Sequence, residues 1–162
     1  MRKKLVTLLM VFSVALAAHA QFEEGKVYVG ASLTGLNMNY NGHDGLSLGA
    51  EAKVGYLFMD NLMLTGLVAY SHNDKSGMAD AASVGLGGRY YIIQNGLYLG
   101  ANCRLIHANH SYNDIMPGVE VGYAFFLSKT VTVEPALYYD QSFKKHSDYS
   151  TIGLKVGIGV YL

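Results

Sequence analysis

From about residue 26 to the C-terminus the chain alternates with period two, and one of the two resulting faces is free of charge over most of its length. A period of two is the signature of β-strands, whose side chains point to opposite faces in turn. The pattern predicts eight strands, at about 26–36, 45–58, 62–71, 81–92, 97–106, 115–127, 131–140 and 150–162. The second strand puts Leu46, Leu48, Ala50, Ala52, Val54, Tyr56 and Phe58 on one face. The last puts Ile152, Leu154, Val156, Ile158, Val160 and Leu162 there. The opposite face holds Lys26, Glu51, Lys53, Arg89, Arg104, Glu120, Glu134 and Lys155, together with Gly30, Gly85, Gly100, Gly118, Gly122, Gly157 and Gly159. Three tight connections, 59–61, 93–96 and 128–130, alternate with four longer polar ones, at about 37–44, 72–80, 107–114 and 141–149. The reading is an all-β, antiparallel, up-and-down barrel of eight strands.

Parity alone does not say which face points inward. A solvated surface carries roughly 25–35% charged residues, whereas the charged face here is sparse and rich in glycine. Glycine weakens an open strand. In a narrow barrel it makes room for a long side chain arriving from a neighbour. The outward aromatics also fall into two bands. Tyr56, Phe58, Tyr90, Tyr123 and Phe125 lie near the tight turns, and Tyr70 and Tyr139 near the longer loops. Two aromatic girdles around an apolar belt are what a transmembrane barrel presents to lipid. The expectation is therefore a transmembrane barrel with its charge inside, short periplasmic turns and longer extracellular loops. The alternative is a soluble, lipocalin-like carrier turned the other way.

The N-terminus agrees with export. Arg2, Lys3 and Lys4 precede the apolar run 5–18 and the sequence Ala18-His19-Ala20. A basic start, a short apolar core and small residues before the cut make a secretory signal peptide over residues 1–20, leaving a barrel over 21–162. Removing the three leading cations from 12 basic residues leaves nine against 12 acidic ones. That balance gives nucleic acid no basic footprint. With Cys103 the one cysteine, no internal disulfide is available.

The last strand, Gly153-Leu154-Lys155-Val156-Gly157-Ile158-Gly159-Val160-Tyr161-Leu162, completes the pattern. With the leader and the alternating strands, it resembles the small outer-membrane barrels of the OmpA/OmpX/opacity-protein type. The resemblance covers the whole chain after the leader. It implies a bacterial outer-membrane location among lipid and lipopolysaccharide, and delivery by the barrel-assembly machinery through the C-terminal strand. No cofactor is implied.

Inside the barrel, charges must be paired. Hairpin arithmetic sets Glu134 opposite Lys155 and Arg104 close to Glu120, with Arg89 across the lumen from Glu51 and Lys53. Two readings follow: a salt-bridge plug and a narrow ion path. At the loop end stand Tyr40, His43, His72, His107, His110, Tyr112 and His146. These are candidates for contact with a surface ligand, since loops on a rigid scaffold commonly carry binding; their spacing matches no metal signature. The segment from Arg104 to Ser111 is faintly similar to the His-x-Ser pair of lipid A deacylases, with Asn109 where the serine would stand. The functional expectation is envelope integrity or surface interaction through the loops. A lipid A-modifying enzyme, a narrow pore and a periplasmic carrier are the alternatives.

Overall fold

The structure is a computed structural model that describes residues 22–36, 47–73, 81–92, 96–108, 112–143 and 150–162. The expected leader, 1–20, lies outside them. The strands are β1 (Val27–Leu36), β2 (Ser47–Met59), β3 (Leu62–Asn73), β4 (Ala81–Tyr91), β5 (Leu97–Ala108), β6 (Tyr112–Tyr123), β7 (Phe125–Phe126), β8 (Val131–Asp140) and β9 (Thr151–Tyr161). Each pairs antiparallel with its neighbour, and β9 pairs with β1. The two-residue β7 continues β6 along the edge of β8, so nine segments make eight staves of one closed barrel.

Closure pairs every stave with a neighbour on both sides, which an apolar surround requires. The register fixes the shape. Cross-strand partners lead from Met116 through Arg104, Gly85, Leu67, Lys53, Gly30, Gly159 and Thr132 to Phe126. One circuit thus returns to the starting stave ten residues further on. With ordinary strand spacing, that stagger tilts the strands by roughly 40–45°.

The expected faces are those observed. Leu33, Val54, Leu64, Leu86, Leu105, Val119 and Ile158 point out and are exposed. Glu51, Lys53, Arg89, Arg104, Glu120, Glu134 and Lys155 point in and are buried. A charged interior under an apolar exterior inverts a water-soluble protein. It removes the carrier reading, which needs an apolar lumen. Inward glycines act as expected. A Cβ on Gly122 would stand 2.5 Å from Cζ of Tyr98, and one on Gly100 would stand 2.5 Å from Cγ of Glu120. Gly96 has a second reason: its φ is +90°, and a Cβ there would lie 2.6 Å from the Ala124 carbonyl oxygen.

Three expectations need correction. The connection placed at 107–114 is mostly strand, because β5 and β6 stay paired up to Ala108 and Tyr112. The connection placed at 72–80 likewise loses its start to β3, which pairs through Asn73. Polar residues above an apolar belt continue a strand as readily as they leave it. The strand expected at 115–127 is broken at Ala124, and the cause is proline. Leu127 N donates to Val131 O at 2.8 Å, and Gln141 N donates to Pro117 O at 2.9 Å. Odd-numbered residues of β8 therefore aim their backbone at β6 and β7. Pro135 is one of them, and its register partner is Tyr123, between the pairs Gly122–Ala136 and Phe125–Val133. Proline has no N–H to offer there. Pro117, whose carbonyl also faces β8, withholds a donor from the same seam. Both prolines of the chain thus fall on one of eight seams.

Hydrogen–deuterium exchange in lipid nanodiscs should find the amides beside Pro135 exchanging before those of β2 and β3; equal protection around the ring would refute the soft seam. Gly122→Val should lower stability by about 1–3 kcal/mol through overpacking against Tyr98, read as a lower urea midpoint in vesicles.

Candidate functional site

The lumen is built in layers. At the turn end lies an aromatic floor. Phe22, just before β1, is fully buried; its carbonyl accepts a 2.9 Å bond from Asn61 N, which sets the ring under the barrel. It stacks on Tyr91 with centroids 3.8 Å apart and meets Tyr161 edge-on at 5.4 Å. Such pairs contribute about 0.5–1.5 kcal/mol beyond the burial of their surface.

Above the floor, Glu134 receives four donors on two oxygens. Arg89 Nη1 (2.7 Å) and the Tyr28 hydroxyl (2.9 Å) bond Oε2, while Thr132 Oγ1 (2.8 Å) and the Tyr161 hydroxyl (3.2 Å) bond Oε1. A carboxylate has about four acceptor positions, so this one is saturated. The Arg89 guanidinium lies over Tyr98 at 4.2 Å and Tyr28 at 5.3 Å, and its Nε donates to Glu120 at 2.7 Å. Glu120 also takes Lys155 at 2.6 Å and Lys53 at 3.2 Å. Glu51 then bridges Lys155 (3.2 Å), Lys53 (3.5 Å) and Arg104 (3.0 Å), and Arg104 reaches Asp140 at 3.7 Å. Nearest the loops, Asp114 accepts from Ser142 Oγ at 2.6 Å.

Four cations, Lys53, Arg89, Arg104 and Lys155, thus meet four anions, Glu51, Glu120, Glu134 and Asp140. The connected network has no net formal charge. The void lined by Tyr28, Ser32, Glu51, Arg89 and Tyr98 measures about 10 Å³, close to the smallest space that holds one water.

Seven of the eight expected lumen charges come together; the eighth does not. Lys26 sits below β1, half-exposed, 3.8 Å from Glu23, because the chain has already turned under the barrel at that point. The expected pairings also change. Lys155 lies opposite Ala136, and Glu134 opposite Gly157. Arg104 lies opposite Met116, and Glu120 opposite Gly100. Long side chains then cross the lumen to partners on distant strands. Asp140 was missed, although it shares the inward parity of Glu134. Tyr28, Tyr98 and Tyr161 are likewise inward by parity. Phe22, outside any alternating run, leaves no such signal.

Of the loop candidates, Tyr40, His43, His110 and His146 lie outside the described residues. His72 and Tyr112 are placed by backbone alone, opposite Leu48 and Ala108. His107 is exposed on β5 and shares a 2.7 Å hydrogen bond with Asn113 Oδ1. Among the described residues, no cluster of three or more His, Cys, Asp or Glu is placed to hold a metal ion.

Glu120→Ala should cost about 3–5 kcal/mol, the penalty of stranding buried cations, read from denaturant midpoints in vesicles. A loss below about 1 kcal/mol, the value for a solvated pair, would show that water reaches the network.

Solved structures share this architecture. Neisserial surface protein A matches with a TM-score of 0.63 and 18% identity, over 83% of this chain and 95% of that one. The N-terminal barrel domain of Pseudomonas aeruginosa OprF matches with 0.64 and 13%, over 86% and 98%. Ail of Yersinia pestis, in a phospholipid nanodisc, matches with 0.56 and 13%, over 86% and 100%. No protein-family model matches the sequence, and no curated protein matches it. At these identities the likeness is one of fold: the chain has the closed, eight-stranded, up-and-down architecture of the small outer-membrane barrels of the OmpA/OmpX type.

Proposed function

We propose that this chain is an exported, integral outer-membrane protein that works as a non-conducting scaffold. It serves envelope integrity or surface interaction through its loops and carries out no catalysis. The observation that carries this reading is the lumen: an electroneutral ion-pair network over an aromatic floor, inside an apolar exterior. A solute pore needs an open path, and the charged layers fill theirs with their own side chains.

The reading includes a leader cut after residue 20 and delivery by the barrel-assembly machinery. The last strand supports the second point. Val27 N donates to Leu162 O at 3.0 Å, and Leu162 N returns a 2.8 Å bond to Val27 O, so the last strand joins the first and completes the ring. The neighbours of similar fold, drawn from bacterial surfaces, support the location.

Planar-bilayer recordings of the folded protein should show no discrete conductance steps; porin-sized steps would overturn the closed lumen. Cys103 points outward from β5 and is exposed. In intact membranes a water-soluble maleimide should leave it unmodified, and should modify it after unfolding. Modification without unfolding would place that face in water.

A further inference from the structure

We infer that Phe22 and the short strap behind it, residues 22–25, form a latch that seats after the ring has closed and then holds it shut. Phe22 is fully buried although it lies outside every strand. Its ring reaches three staves at once. It stacks on Tyr91 of β4 at 3.8 Å, and meets Phe126 of β7 at 5.6 Å and Tyr161 of β9 at 5.4 Å. Counted around the ring, β4 is the fourth stave and β9 the eighth, so they stand on opposite sides of the mouth. The Tyr91 and Tyr161 hydroxyls, 2.8 Å apart, close the same span. The latch is thus a tie across the diameter.

The strap has its own receptor in the β2–β3 turn. Asn61 N donates to Phe22 O at 2.9 Å, while Asn61 O accepts from Tyr91 N at 2.8 Å. One residue therefore positions both members of the stack. Its φ of +64° is left-handed backbone, which asparagine tolerates better than most side chains. Glu24 N adds a 2.9 Å bond to Asp60 Oδ1, and Gly25 N one of 2.8 Å to Leu57 O.

The order in time follows from chain entropy. Phe22 and Tyr161 come from opposite ends of the chain, and joining such distant residues in an open chain costs loop-closure entropy. β1 and β9 share eight register partners, which close the ring without the strap. Once they pair, Phe22 is held beside Tyr161 and that entropy no longer opposes the contact. A contact absent from the folding transition state leaves the folding rate alone and slows unfolding. The latch therefore gives the barrel kinetic stability: the strap leaves the mouth before β9 parts from β1.

The test follows the full barrel in phospholipid vesicles, with the folded fraction read from heat-modifiable mobility. Phe22→Ala should unfold in denaturant roughly a hundredfold faster, as for a buried aromatic whose contacts form after the transition state. Its folding rate should stay within about twofold of the wild type. Asp60→Ala, which removes the acceptor for Glu24 N, should speed unfolding by roughly fivefold. Phe143→Ala, exposed at the loop end, should change neither rate. If Phe22→Ala folds slowly or not at all, the contact forms before closure and the latch is overturned. It is equally overturned if unfolding stays within about threefold of the wild type. Pulse-labelled hydrogen exchange gives a second answer on the unmodified protein. The amides of Glu24 and Asn61 should gain protection after those of β1 and β9; simultaneous or earlier protection would reverse the order and remove the latch.

Discussion

Four acidic and four basic side chains pair in one network inside a tube too narrow for bulk water. Each ion taken from water costs several kcal/mol even after relaxation, so each must find partners inside. The barrel supplies them by geometry. A stagger of ten residues per circuit brings side chains from β2, β4, β5, β6, β8 and β9 to overlapping heights. Glycines facing the lumen give them room to lie across neighbouring strands. Every ion in the network touches at least one of opposite sign, and Glu120 and Glu51 each touch three. With the interior assigned to charge, apolar residues occupy the outside, and only lipid suits that exterior.

Much of this was legible because a strand's two faces differ so sharply. The uncharged row from Ala50 to Phe58, set against Glu51 and Lys53, fixes both strand and face. Partnerships were less legible. Hairpin arithmetic pairs residues on adjacent strands, but Arg89 and Lys155 are long enough to cross the lumen, so their partners depend on tilt and stagger. These are properties of the closed ring and of no single hairpin. Lys26 shows a second limit: its parity is right, but the backbone leaves the strand pattern there. Phe22 shows a third. Nothing periodic surrounds it, and its role follows from a backbone bond to the β2–β3 turn.

The two ends of the lumen are closed by different physics. At the turn end the aromatic floor relies on stacking and burial, and Tyr161, near the chain's end, packs against Phe22, near its first strand. At the loop end the closure is polar, through Asp140, Asp114 and Ser142. The outer face shows a matching gradient, from wholly apolar rows at mid-height to the His107–Asn113 pair above them. The same strand thus changes its chemistry along its length on both faces at once.

The position of Pro117 and Pro135 gives the ring a mechanical character. Eight staves joined by seams behave as springs in a loop, and the softest spring takes most of any imposed strain. Both prolines weaken the seam between β6 and β8, so a change in lateral membrane pressure would ovalise the cross-section about that line. The ion pairs bridging it, Arg104 to Asp140 and Arg89 to both Glu120 and Glu134, act as cross-braces on the soft side. Compliance and bracing are placed together, and the barrel's elastic response is written into two imino acids.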